Sequence, residues 1–517
     1  MIRTAILIVM VACVAVSGQT QTKTTITQDG KFQVEETLIY DKKLGGKMLG
    51  QKISPDRLTL ALVVEKRGWQ AVWTEKYGRS DYYNGVMGLF FSPDSKRFAY
   101  VATDKHDKTE VVVDGQLVGK YGSVVNNQVL FTDNNESYAF IMSEKKHSRE
   151  IVVINGVKQP KYTKLMSLNP EDPIQLLAVD GGRVVYFARQ DNDHFAVIDG
   201  QRGPSFEATG FGPTFSDDFA HIAYGGMRDS LMYIVVDSVL HGPYPEVSHV
   251  HFPPGSSEPA YIVHWPDSSR IFLNHKLQPT KYKWVRAPIY TDSGTVRAFW
   301  ASDGKKAYVV NGADEDISGV QEYYNLTTPW ESNHGGHLIH KIIFDEKETR
   351  KSLVIDGKLM SAMVCPGTAN AWFSEDGSHY TLCCFEEKPM KTTVWIDDQF
   401  GPYEGMWIDP VTFSHEGSRW ATRVISKEGV YLLVDGVRID IDAAPSQVHF
   451  SPDGKHLAYT LSQSKKSKEH LVIDETEFDT YTAIGGNDME FSPDGTLTLF
   501  PREKEAKLYR VKVSPAQ

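Results

Sequence analysis

Short apolar runs alternate with compact polar clusters along nearly the whole chain. One cluster recurs with the same surroundings. Phe91-Ser92-Pro93-Asp94-Ser95-Lys96-Arg97-Phe98-Ala99-Tyr100 returns as Phe450-Ser451-Pro452-Asp453-Gly454-Lys455-His456-Leu457-Ala458-Tyr459. Phe215, Phe373, Phe413 and Phe491 open further copies, and weaker ones start at Ile53, Phe131, Leu177, Phe252 and Phe299. Pro sets φ and Gly accepts positive φ, so each cluster predicts a turn between two antiparallel strands. A second phrase follows about twenty residues on. It is a β-branched run closed by Asp-Gly or Asn-Gly, as in Val111-Val112-Val113-Asp114-Gly115 and Leu432-Leu433-Val434-Asp435-Gly436. That pair is a strong hairpin signal. Two hairpins per unit predict four short strands, and the anchor rings Phe91, Phe215, Phe373, Phe413, Phe450 and Phe491 should be largely buried between blades.

The eleven anchors repeat about every 40 residues once an excess of 33 residues between Asp303 and Asp356 is set aside as an insertion at 312–345. Four strands in that length is the size of a propeller blade. The expected fold is therefore all-β: a β-propeller of ten to eleven four-stranded blades. Eleven exceeds the usual count for one ring, so two rings are expected, 19–285 and 286–517, with one large ring as the alternative. Residues 31–45 are expected to supply a strand that helps close a ring.

The Phe-Ser-Pro-Asp-Gly-Lys…Ala-Tyr phrase resembles the WD-like repeats of TolB-type propellers of the bacterial envelope. It also resembles the propeller halves of the prolyl-oligopeptidase family. The resemblance spans about residues 50 to 517 and implies a fold far more than a function. A peptidase of that family is disfavoured, because no G-x-S-x-G elbow and no helical domain accompany the repeats.

Composition changes the picture in three places. The formal charge of −11 argues against nucleic acid as a partner. Met1-Ile2-Arg3 followed by an apolar run to Val16 reads as a signal peptide over 1–18, and no later run is long enough to span a bilayer. Export to the periplasm or the exterior is expected, with a lipid anchor on Cys13 as the alternative. Of the remaining cysteines, either Cys383 or Cys384 is open to pairing with Cys365, but a protein of this size does not need that staple, and buried free thiols are expected rather than a redox pair.

No catalytic, cofactor or metal motif stands out. The links between second and third strands, such as 104–108, 143–149, 225–230, 388–391 and 463–469, vary in sequence. They should share the face opposite the Asp-Gly turns, where binding is expected. The 312–345 segment should rim that face with Tyr323, Tyr324, Trp330, His334, His337 and His340. A metal held by the three histidines is disfavoured by Gly335-Gly336, which oppose a helix. The expected function is a noncatalytic scaffold binding another protein or an extracellular ligand. The alternative is a propeller enzyme, of lyase or hydrolase type, whose catalytic groups converge from several blades.

Overall fold

The computed structural model describes residues 22–27, 29–145, 149–166 and 182–273, and shorter segments between 276 and 516. Strands dominate. The helical pieces among the described residues are Lys42–Gly45 and the 3-10 turn Val125–Asn127. Among the described residues, the strands form twelve antiparallel sheets, six of four strands and four of five, nearly all of them built from consecutive strands. Buried side chains lie between consecutive sheets. Val101, Val111 and Tyr121 of one pack with Phe131, Phe140 and Val153 of the next. Ala223, Ile234 and Val236 meet Val247, Tyr261 and Val263 in the same way. Four-stranded sheets stacked face to face along the chain are the blades of a β-propeller.

Backbone contacts divide the chain into two compact units. One is Leu49–Tyr323, and the other joins Met1–Met48 to Tyr324–Gln517. The 285/286 boundary expected from sequence falls within the strand Trp284–Tyr290 of the first unit. In the second unit, the strand Phe32–Asp41 pairs with Lys507–Pro515, so the two ends of the chain complete one sheet. This is the closing strand expected from residues 31–45.

The repeat phrase is explained by one hydrogen-bond pattern. In the turn after Phe91, the Ser92 hydroxyl donates to Asp94 Oδ1 at 2.7 Å and accepts from the Arg97 N–H at 2.9 Å. Asp94 in turn accepts from the Lys96 N–H. Ser216, Ser374 and Ser451 repeat both hydroxyl bonds. The hydroxyl satisfies a strand N–H that water cannot reach, which is why each of these serines is buried. At Asp376, the Ser374 and Ser378 hydroxyls hold the carboxyl down at about 2.

The Asp of the second phrase does more than turn the chain. Asp114 Oδ1 accepts from the Phe98 N–H, and its other oxygen pairs with Arg97. Asp237 and Asp435 do the same with Ile222 and His221, and with Trp420 and Arg419. Each pair clasps two turns at one end of a sheet. The His–Asp members are therefore structural. Nδ1 of His221 lies 2.6 Å from Asp237, and that hydrogen bond raises the imidazole pKa above 6.5 although burial opposes it. A raised folded-state pKa adds stability fully below the unfolded value, and the gain is lost as pH rises through the folded value. The stability margin of the wild type over His221→Gln should accordingly be widest near about pH 5.5 and shrink towards pH 8. Denaturant melts of both proteins across that range check this, and a margin independent of pH would refute the clasp.

Four sequence expectations are corrected. Phe299 does not open a first turn; it lies inside the strand Val296–Ser302. The first strand of that sheet is Trp284–Tyr290, so Ser302-Asp303-Gly304 follows the second strand, not the first. Residues 312–345 are not simply an excursion from a blade. They contain the strands Asn325–Leu326, Trp330–Glu331 and Leu338–Ile343, which form a sheet with Lys351–Ile355 and Lys358–Met360. Counting that sheet, Ile53 to Phe491 holds eleven steps of about 40 residues and needs no insertion. The anchor rings Phe91, Phe215, Phe373, Phe413, Phe450 and Phe491 are half-buried rather than buried. They cap the clusters from the turn end, while residues opening the second strand, such as Phe98 and Trp420, are enclosed. Finally, Cys384 is disulfide-bonded, whereas Cys383 is a buried free thiol whose pKa is pushed up by burial to about 11.

Candidate functional site

In a four-stranded meander, the second–third turn and the exit from the fourth strand share one end. On that end of the first unit lies a cavity of about 660 Å3 lined by Lys66, Arg67, Trp69, Arg79, Tyr82 and Lys105. The first two sheets build it together. Leu60–Lys66 and Trp69–Thr74 are joined by Arg67 and Gly68, both at positive φ, the tight hairpin that suits twisted strands. Lys66 pairs in register with Trp69, so their side chains stand together on one face. Arg79 ends the short fourth strand, and Tyr82 lies in the link to the next sheet. The Arg79 guanidinium sits 5.0 Å over the Tyr82 ring.

The link is held rigidly. Gln70 and Tyr83 exchange backbone hydrogen bonds at 2.9 and 2.7 Å, and the Gln70 side chain accepts from the Val86 N–H. Tyr83 is buried, with its hydroxyl 3.1 Å from that of Tyr100. Burial, then the Tyr100 hydrogen bond, drives the Tyr83 phenol far up. Lys105 is presented by a loop wound on Asp104, whose Oδ1 accepts the N–H groups of His106 and Lys108. Burial would raise the Asp104 pKa, but these bonds and the Lys120 ammonium at 3.1 Å outweigh it and lower it.

All six lining residues are exposed, Trp69 at 42% and Tyr82 at 37%. Among the described residues, no carboxylate forms an ion pair with Lys66, Arg67, Arg79 or Lys105. Four cations and two aromatic faces around one opening suit an anion that also offers a flat or apolar face. None of its six lining residues is a carboxylate, His, Cys or Ser.

The sequence candidates fall elsewhere. Tyr323, Tyr324, His334 and His337 lie outside the described residues. Trp330 lies in the strand Trp330–Glu331 and His340 in Leu338–Ile343, in neighbouring strands of one sheet. The cavity escaped sequence reading apart from Lys105, which belongs to the variable link 104–108. The available signal was Lys66-Arg67-Gly68-Trp69, two cations and an aromatic at a two-residue turn.

One further cluster resembles catalytic machinery. Ser248 Oγ lies 2.7 Å from His264 Nε2, and His264 Nδ1 lies 2.8 Å from Ser269 Oγ. A hydrolytic triad places a carboxylate third, to stabilise the imidazolium. Here the third group is a neutral hydroxyl. The chain of bonds ties the bulged strand Glu246–His251 to the strands beside it. Among the described residues, no group of three or more His, Cys, Asp and Glu is arranged to hold a metal ion. No helix among them is long and apolar enough to cross a membrane.

The chain matches no protein-family model and no curated protein. Among solved structures, it is similar to a eukaryotic initiation factor at 10% identity and a TM-score of 0.36, over 91% of this chain and 99% of that one. It is also similar to the tricorn protease at 11% identity and a TM-score of 0.21, over 96% of this chain and 61% of that one. The class the architecture defines is that of multi-blade β-propellers.

Proposed function

We propose that this protein is an exported binding scaffold of the TolB-type, WD-like propeller kind, and that it captures an anionic ligand on the face carrying the second–third turns. The observation that carries this reading is the cavity between the first two blades, where four cations without ion-pair partners among the described residues surround Trp69 and Tyr82. Cations that serve only solubility need no aromatic platform and no braced link behind them. The disulfide at Cys384 supports export, since such bonds persist in oxidising compartments. The repeat phrase supports the family.

Isothermal titration with citrate, pyrophosphate and galacturonate tests the site. At least one of them should bind to the full chain, and Arg67→Glu with Arg79→Glu should weaken it about tenfold or more. Absence of binding by all three, or binding indifferent to the two reversals, would remove this cavity from the functional account.

A further inference from the structure

The cationic character does not stop at the cavity. The second–third turns of three successive blades carry Lys66 and Arg67, then Lys105 and Lys108, then Lys145 and Arg149, all exposed. The acidic residues interspersed among them are largely engaged locally. Lys120 takes Asp104, and Lys158 and Lys161 take Glu144. A link between blades also packs closely against one of these turns. At Gly122, in the link between the second and third of these blades, a Cβ would meet the backbone of Lys145 at 2.6 Å. Beyond this point acidic residues enter the turns, with Arg228 beside one of them. The next three such turns carry Asp191, Asp229 and Asp267. The basic stripe thus runs over three adjacent blades of the first unit, in a chain whose formal charge is −11; basic pairs also occur between second and third strands at Lys305-Lys306 and Lys465-Lys466.

Face-to-face sheets lie about 10 Å apart, so three turns span about 20 Å, too far for one small anion to bridge. A linear polyanion can bridge them, and its repeat charges would displace counterions along the stripe. The aromatic groups decide its kind. Single-stranded nucleic acid calls for a succession of stacking platforms along the track. Here Trp69 and Tyr82 stand together at one end, with cations beyond them. A sugar ring lays its apolar C–H face on such a platform while its acidic substituents, and those of the following sugars, reach the cations.

We propose that the ligand is a linear acidic polysaccharide, seated with one sugar on Trp69 and Tyr82 and running over the Lys105 and Lys145 turns. This rests on the binding role proposed for the cavity. The carboxylate of a uronic acid and a sulfate ester offer the same chemistry, so both are probed. Affinity electrophoresis and titration of the full chain would use polygalacturonate, dextran sulfate, neutral dextran and an oligothymidylate. Polygalacturonate or dextran sulfate should bind, and should bind more tightly than galacturonate alone. Affinity should fall steeply with salt and drop about tenfold in Lys105→Glu with Lys145→Glu. Trp69→Ala should weaken the polysaccharide further at high salt, where the charge contribution is reduced. Neutral dextran should not bind.

Oligothymidylate binding as tightly at equal salt, or polysaccharide binding unchanged in Lys105→Glu with Lys145→Glu, overturns the proposal. If galacturonate or citrate binds at the cavity while neither acidic polymer gains affinity over it, the polymer inference fails and the cavity reading stands. If neither small anions nor polymers bind, both fail.

Discussion

A chain lacking residues 22–41 should lose the stability of the unit built from the two chain ends. Phe32–Asp41 pairs along Lys507–Pro515, and its loss would leave that strand with an open edge. Phe32 is 2% exposed and packs in one cluster with Leu471, Ile473, Leu497 and Val511. Its ring meets His456 and Phe478 edge-on at 5.3 and 5.9 Å. Asp29 accepts from the Thr476 hydroxyl, and the Ala516 N–H donates to the Lys31 carbonyl, so the Phe32–Pro515 end of the pairing is fixed. Phe32→Ala alone should cost about 3–5 kcal/mol through lost burial and the cavity left behind. Deleting the strand should cost more, and its unpaired neighbour becomes a template for aggregation. Hydrogen exchange reads the effect locally: amides of Lys507–Pro515 should lose protection while those of Phe98–Thr103, in the other unit, keep theirs. Equal protection of Lys507–Pro515 in both chains would show that the closing strand is dispensable.

The blade plan was legible because its determinants are local. Ser92, Asp94 and the residues between Ser92 and Arg97 bond to one another, so the phrase carries its own turn. The same locality misled at Phe299. Ser302-Asp303-Gly304 has the chemistry of a turn, but turn chemistry does not say which pair of strands it joins. That slip hid a blade inside an apparent insertion. The half-buried anchor rings illustrate a second limit. Apolar identity says that Phe91 prefers the interior, yet its place at the last position before a turn leaves one side open, while Phe98 opens the strand that lies between two others. The cavity was hidden for a different reason. Lys66, Arg67, Trp69, Arg79, Tyr82 and Lys105 come from three separate stretches, and they meet only because Gln70 pairs with Tyr83 and turns the link back across the blade. In sequence, each cation is one more solvated turn residue.

Arg419 should prove one of the two costliest clasp residues to replace, because its guanidinium joins two blades. Nε pairs with Asp435 at 2.8 Å within its own blade. One terminal nitrogen donates to the carbonyls of Gly454 and Lys455 in the first turn of the next, at 3.0 and 3.1 Å. The group also lies 5.2 Å over the Phe450 ring. Asp435 completes the link by accepting the N–H of Trp420, which is 5% exposed. Hydrogen bonds to charged groups contribute about 1.5–3 kcal/mol, so Arg419→Met should cost about 2–3 kcal/mol in denaturant melts. Arg419→Lys keeps the charge but has no fork to serve a carboxylate and two carbonyls together, so it should recover less than half of that loss. Asp435→Asn keeps an acceptor for the Trp420 N–H and should cost less than Asp435→Ala, which strands it. A double-mutant cycle over Arg419 and Asp435 should show clear coupling, because each substitution removes the same contact. Arg97 makes the equivalent reach in the first unit, to Asp114, the Asn135 carbonyl and the Phe131 ring. Arg97→Met should therefore show a loss of the same size. A fully stable Arg419→Lys variant would mean that charge alone, not the shape of the guanidinium, holds these turns together.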